Sequence, residues 1–336
     1  MRTRAVRIGK ISVRWKLAGL AALALVAAAF LLAGYLETRS RPQARGVIAE
    51  DIGRYQSIEY QGVSYVQKTA LQTVLLMGVD QSSQIDRFGA RQGGQADLFW
   101  LLVIDSSAKT VRQLQLDRDT MTQVQVYGVL GNETGTAWMQ LCLSHGFGST
   151  PRQNNQNAVD AVRGFLHDIP IDGFITFRLD AIGVINDALG GVTVTLEDDF
   201  TAYDPAMTEG LTLTLNAAQA EIFTRFRMEV GDGTNESRMA RQRSFVSAAA
   251  AQLKARLEAE PDYLGTLFDQ LTNVMTTDLS RNWMIREANA AFRYAVLPAE
   301  VLPGEHSVNA AGFMEFAADP DAVMRWIVDT YYRPAQ

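Results

Sequence analysis

The chain is predicted to fold as a three-layer α/β/α single domain built on a central mixed sheet, with one N-terminal transmembrane helix ahead of it. Three features of its 336 residues lead there. An uncharged run stands near the N-terminus. Short, almost wholly apolar runs of strand length follow at Thr73–Val79 and Leu98–Ile104. Beyond Asn157, stretches with helical spacing alternate with further strand-like runs. A composition of 47% apolar and 20% charged residues suits a globular body with ample core material.

Arg2, Arg4, Arg7, Lys10, Arg14 and Lys16 precede the uncharged run Leu17–Leu36. At roughly 1.5 Å per residue that run spans about 30 Å, the thickness of a bilayer core. Trp15 and Tyr35 stand where interfacial aromatics belong, and the basic flank predicts an inside N-terminus and an extracytoplasmic body. A cleavable signal peptide is the alternative, although no clear small-residue cleavage site follows; either way the body lies outside the cytoplasm. The expected organisation is a cytoplasmic basic tail (1–16), a single transmembrane helix (17–36), a stalk (37–70), a core (71–260) and a C-terminal helical part packed on it (261–336). The 300 residues after 36 hold 25 Lys and Arg against 37 Asp and Glu, which argues against nucleic-acid binding. The one cysteine, Cys142, excludes an internal disulfide and a multi-cysteine metal site.

Within the body, Thr73–Val79, Leu98–Ile104 and Val111–Leu116 read as strands, the last two joined by a turn at Ser106–Thr110. Gly128–Gly148, rich in glycine with Trp138 and Phe147, reads equally as a lid or a crossover. Asn157–His167 reads as helix and stops before Ile169-Pro170. A strand at Ile175–Leu179, a helix at Ala181–Leu189 ended by Gly190-Gly191, and a strand at Val192–Leu196 follow. Asn216 and Gln219 have capping-box spacing at the head of a helix reaching Phe226. The long helix Arg238–Glu258 has Asn235 or Ser237 to cap it, and Tyr263–Met275, Arg281–Arg293 and Pro320–Tyr331 complete the helical set.

The chemistry concentrates in Thr224–Arg243, which holds Arg225, Arg227, Arg238, Arg241 and Arg243. Extending the stripe Phe245–Ala249–Leu253–Leu257 backwards turns Arg238, Arg241 and Gln242 inward at a helix N-terminus, a setting for phosphate. The plainer reading is a solvated arginine face paired with Glu221, Glu229 and Glu236. Asp80 ends the first buried strand and Asp97 precedes the second; converging carboxylates there could share a hard cation, most plausibly Mg²⁺ with phosphate oxygens completing its shell. Each could instead be a turn or cap aspartate. Arg118 and Asp119 close the third strand, as a site pair or a local ion pair.

Taken together, LLMGVD, QADLFWLLVID, LQLDRDT, IPIDGFITFRLDAIGVINDALGGVTV and RFR followed by SRMARQRSF resemble the LytR–CpsA–Psr family along roughly Thr73–Leu257. Members are extracytoplasmic phosphotransferases, mainly of Gram-positive envelopes. They move a glycopolymer such as teichoic acid or capsule from a polyprenyl-pyrophosphate carrier to peptidoglycan. The resemblance implies that Asp80 and Asp97 hold Mg²⁺, and that Arg118, Arg225, Arg227, Arg238 and Gln242 contact the pyrophosphate. It also implies that Asp97 or Asp119 serves as base for the acceptor hydroxyl, with the lipid tail in an apolar tunnel between sheet and helices. Pyrophosphatase action on the carrier is an expected side activity.

Several positions depart from the family pattern. Gln95 stands where an arginine is usual, with Arg91 out of register. Gln140 lies near the place of a lysine, Asn235 replaces an aspartate, and Asp117 replaces a proline before Arg118. The alternative function these suggest is a non-catalytic polyprenyl-pyrophosphate binder or envelope regulator. Residues 262–336 show no chemistry of their own, and His145, His167 and His306 read as structural.

Overall fold

The computed structural model describes residues 54, 56–80, 94–128, 132–148 and 150–335. The expected basic tail and transmembrane helix lie outside these. Among the described residues no helix is long and apolar enough to cross a membrane.

The described chain opens with a hairpin, β1 (Ser57–Tyr60) and β2 (Val63–Gln67). An antiparallel meander follows: β3 (Leu71–Asp80), β4 (Gln95–Asp105) and β5 (Thr110–Leu116). A second hairpin, β6 (Met121–Tyr127) with β7 (Glu133–Gln140), runs into a 3-10 turn at Leu141–Gly146 and helix α1 (Pro151–Phe165). Then come β8 (Gly173–Arg178), α2 (Ala181–Ala188), the short pair β9 (Thr193–Thr195) and β10 (Thr212–Thr214), α3 (Ala217–Arg225), α4 (Asn235–Ala259) and α5 (Tyr263–Leu271). The C-terminal part contributes β11 (Met275–Thr277), α6 (Arg281–Ala291), β12 (Ala295–Val301), the hairpin β13 (Gly304–Val308) and β14 (Met314–Ala318), α7 (Pro320–Tyr331) and β15 (Tyr332–Pro334).

The central sheet has six strands in the order β11-β8-β3-β4-β5-β12. It is mixed because β8 runs parallel to β3 and β12 parallel to β5, while the meander is antiparallel. Period-two alternation sorts its side chains. Leu75, Met77, Phe99, Leu101 and Val103 point to one face, where they pack with Ala158 and Val162 of α1 and with Trp326, Ile327 and Tyr331 of α7. Leu76, Leu98, Trp100 and Leu102 point to the other face, toward α4 and its neighbours. The helices therefore form a layer on each side of the sheet.

Two expected boundaries change. The stalk was expected to reach residue 70, but β1 and β2 already belong to the folded body, tied antiparallel to β15 at the far end of the chain. The C-terminal part is not simply helical. Its β11 and β12 are the two edges of the central sheet, and its β15 completes the small sheet of the N-terminal hairpin. These strands are short or largely exposed, so they lack the apolar signature that marks β3 and β4.

Candidate active site

The two acidic candidates reach one face of the sheet through a break in the ladder. Gly78 pairs with Leu98, but Val79 pairs with Ala96 and Asp80 with Gln95, leaving Asp97 as an extra residue on β4. A bulge of this kind reverses the side-chain phase beyond it. Ala96 turns into the core at 0% exposure, and Asp97 turns to the opposite side, next to Leu98 and on the cavity face that Asp80 also lines. With an unbroken ladder Asp97 would stand opposite Val79 and point into the core beside Phe99.

The arginines arrive from the helical layer. The capping box of Asn216 and Gln219 starts α3, which ends on Arg225. Arg225 pairs with Glu221 one turn earlier and lies 3.6 Å from Asp80. The N-terminus of α4 is capped by Thr234, whose hydroxyl accepts from Ser237 N; the expected caps Asn235 and Ser237 fall inside the helix. That phase buries Arg238 and Arg241. Arg238 lines the cavity described below, its Nη2 donates to Asn235 Oδ1 at 2.6 Å, and its Nε has no partner among the described residues. Arg241 turns the other way. It donates to the carbonyls of Phe223 (3.1 Å) and Phe226 (2.6 Å), to Asp198 (2.7 Å) and to Ser237 (3.0 Å), so it holds the 226–234 loop rather than a ligand. A side chain on Gly231 would meet Asp198 Oδ1 at 2.5 Å, so that close approach requires glycine.

Arg118, at the end of β5, pairs through Nη1 with Asp97. Its Nη2 donates to Gln95 Oε1 (2.7 Å) and Cys142 Sγ (3.2 Å), and its Nε lies 3.4 Å from Asp119. Gln242 accepts from Gln115 Nε2 (2.9 Å) and donates to the Thr224 carbonyl (3.3 Å).

These groups stand at one end of a cavity of about 740 Å³ between the sheet and the layer of α2–α6. Asp80, Asp97, Arg225, Arg227, Arg238 and Gln242 line its polar end; Arg118 and Asp119 sit behind Asp97. The rest of the wall is mostly apolar, with Leu76, Leu102, Ile182, Phe245, Leu253 and Phe292 among its residues, and Gln113, Arg178 and Glu287 also reach it. From Asp97 to Ile104 the wall runs along seven residue steps of β4, roughly 23 Å. The helix of Ala181–Leu189 and the one carrying Phe245 and Leu253 both contribute, which places the cavity between sheet and helices.

Electrostatics follow from burial and crowding. Burial pushes the Asp119 carboxyl up, against the pull of Arg118. Burial lowers the Arg238 guanidinium, which Asp97 supports and Arg118 and Arg227 oppose. The Cys142 thiol is pushed up to about 11 by burial, in spite of Arg118. It is expected to resist iodoacetamide at pH 8 in the folded protein and to react promptly in denaturant; fast alkylation of the native protein would contradict this. Below the ordinary thiol pKa of 9.0 both states hold the proton; from there to about 11 only the unfolded chain ionises, so this group makes stability fall as pH rises through that window.

All eight candidates, Asp80, Asp97, Arg118, Asp119, Arg225, Arg227, Arg238 and Gln242, thus meet around this polar end. Among the described residues no group of three or more His, Cys, Asp or Glu is placed to hold a cation. Two exposed-edge carboxylates fit only an ion that takes most of its shell from ligand oxygens and water, as Mg²⁺ does with phosphates. Among the departures, Gln95 still touches Arg118, whereas Gln140 turns away and donates to the Met314 carbonyl at 2.7 Å. Arg91 lies outside the described residues. The segment read as lid or crossover, Gly128–Gly148, holds β7, the second strand of the β6–β7 hairpin, and the 3-10 turn that brings Cys142 to Arg118. Two contacts had no sequence signal: Asp117, which accepts from Asn235, and His306, 189 positions along the chain, whose Nε2 lies 3.0 Å from Asp117.

Comparison with known proteins agrees with this architecture. A curated relative, the polyisoprenyl-teichoic acid–peptidoglycan teichoic acid transferase TagU of Bacillus licheniformis, is 28% identical over 255 residues, 75% of this chain and 74% of its own. The crystal structure of protein gbs0355 from Streptococcus agalactiae superposes with a TM-score of 0.63 at 20% identity, covering 79% of this chain and 90% of that one. A structure described as TagT bound to LI-WTA superposes with a TM-score of 0.59 at 19% identity, over 86% and 96% of the two chains. The LytR_cpsA_psr family model matches residues 43–317, and by that match the chain belongs to the LytR–CpsA–Psr family.

Proposed function

We propose that this protein is a membrane-anchored, extracytoplasmic phosphotransferase that moves a glycopolymer from a polyprenyl-pyrophosphate carrier to peptidoglycan with formation of a phosphodiester. The observation that carries the reading is the joining of a long apolar cavity to one cationic, carboxylate-bearing end: a lipid tail and a diphosphate headgroup have that same division. The name of the Bacillus licheniformis relative supports the same substrate class.

In this reading the tail lies along Leu76, Leu102 and Phe245, and Arg225, Arg227 and Arg238 surround the diphosphate. An acceptor hydroxyl oxygen bonds to the sugar-linked phosphorus, the phosphoanhydride P–O bond breaks, and polyprenyl phosphate leaves with the electron pair. The hydroxyl proton passes to Asp97 or Asp119, the two carboxylates that Arg118 holds at this end. Bound Mg²⁺, held by Asp80 and Asp97, would supply charge neutralisation for the phosphates. Positioned positive charge does most of the work in phosphoryl transfer, which needs little covalent help from the protein.

The test uses the full chain in detergent with a short polyprenyl-pyrophosphate oligosaccharide, peptidoglycan and Mg²⁺. Transfer with release of polyprenyl phosphate, abolished by EDTA, is the expected result. Absence of both transfer and pyrophosphate cleavage would overturn it. Binding without turnover would favour the non-catalytic alternative, which the neutral Gln95 against Arg118 motivates. The cavity has its own check. Ala249→Trp fills its wall and is expected to raise KM for a long-chain carrier about tenfold while leaving inorganic pyrophosphate binding intact, the size expected from displacing a few buried methylenes.

A further inference from the structure

The mechanism above uses Arg238 and leaves the side chains behind it without a role. Asn235 accepts from Arg238 Nη2 through Oδ1 and donates through Nδ2 to Asp117 Oδ1 at 2.8 Å. Asp117 Oδ1 also accepts from Asp119 N at 2.8 Å, and its Oδ2 lies 3.0 Å from His306 Nε2. Asp117, Asn235 and Arg238 are 4%, 5% and 6% exposed, so water competes little with this chain of contacts. Its members come from the end of β5, the first turn of α4, and β13, whose His306 also packs on Phe316 of β14 with ring centroids 4.6 Å apart.

We infer that Asp117 is a positioning residue for Arg238, acting through the Asn235 amide and braced from outside by His306 of the C-terminal hairpin. This rests on the reading of Arg238 as a phosphate-binding group. An amide has a donor end and an acceptor end and can present either. A carboxylate only accepts, so Asp117 compels Nδ2 to face it and thereby compels Oδ1 to face the guanidinium. Asp97 and Asp119 draw the Arg238 charge while Arg118 and Arg227 repel it, so the contact with Asn235 decides which way its fork is held. Held from one Nη, it keeps its Nε and remaining N–H groups for the cavity. Asp117 itself is not a ligand in this arrangement: both its oxygens are engaged with Asn235, Asp119 N and His306, and it does not line the cavity. The C-terminal hairpin thus becomes part of the site, although it contributes no group to the ligand.

Two variants test the relay in the full-length protein, with inorganic pyrophosphate as the binding probe. Asp117→Asn frees the amide at 235 to present either end, and pyrophosphate affinity is expected to fall about tenfold, the equivalent of one charge-assisted hydrogen bond. The swap Asp117→Asn with Asn235→Asp reverses the donor and acceptor between the two positions and still offers Arg238 an oxygen; it is expected to recover affinity to within about threefold of wild type. A residue with only a structural role would gain nothing from that swap. His306→Phe, at the half-exposed outer end, keeps the question open to disproof if Asp117→Asn does not fold; it is expected to lower kcat about threefold without changing KM for the acceptor. Unchanged affinity in folded Asp117→Asn, no recovery in a folded swap, or wild-type kcat in His306→Phe would each overturn the relay. Failure of the wild type to bind pyrophosphate would overturn the site reading beneath it, a result distinct from the other three.

Discussion

Arg118→Ala is expected to lower turnover by about a thousandfold, because the residue meets three acidic or polar partners at once where phosphate charge would develop. Its guanidinium bridges Asp97, Asp119, Gln95 and Cys142, so alanine leaves both carboxylates without their cation. Lysine would keep the charge and lose the fork, and Arg118→Lys should recover only part of the rate. A pH signature accompanies the loss. Arg118 is the main group drawing the Asp119 carboxyl down against burial, so its removal moves that carboxyl further up. A folded state with a raised carboxyl favours the protonated form; the stability this contributes is present at low pH and is lost as pH rises past the ordinary value toward the raised one. Melting curves of Arg118→Ala should therefore worsen relative to wild type as pH climbs out of the acid range. Single-turnover release of polyprenyl phosphate measures the rate effect, and a loss below tenfold would remove Arg118 from the reacting centre.

Arg241→Ala is expected to destabilise the fold by about 3 kcal/mol, the usual cost of stripping a buried cation from its acceptors. Arg241 is 3% exposed and its removal abandons two carbonyls, at Phe223 and Phe226, along with Asp198 and Ser237. Asp198 is partly exposed and can rehydrate, which keeps the cost at the lower end for a buried pair. For a body of this size the melting midpoint should fall by about 5 °C. Differential scanning calorimetry checks it. A change within a degree or two would mean that the loop carrying Arg227 is held by other contacts.

What could be read from the residues follows from how local each signal is. The strands β3 and β4 are continuous apolar runs because the sheet is covered on both faces, and α7 was legible to the residue because Pro320 and its preceding Asp319 mark its start. The Asn216–Gln219 capping box is likewise a matter of three residues. Strand β7 and the edge strand β12 are not legible in this way, since their residues are half or fully exposed and carry no apolar alternation. The acidic and basic candidates were found as residue types in a familiar order. The bulge that brings Asp97 to the cavity face was not, because nothing in QADLFWL shows that one residue will go unpaired. His306 reads as structural from the sequence for a similar reason: its partner is defined by a hairpin folding back from 189 positions along the chain.

The unpaired position on β4 makes the site depend on residue count as much as on residue identity. Shortening the strand by one residue between Gln95 and Leu98 would let the ladder close, and a sheet with continuous pairing is the more comfortable one for the backbone. The acid would then rotate out of reach of Asp80 without any side chain in the pocket being altered. Under the proposed function the irregular sheet is therefore the form that can act, and the tidier one is expected to be inert.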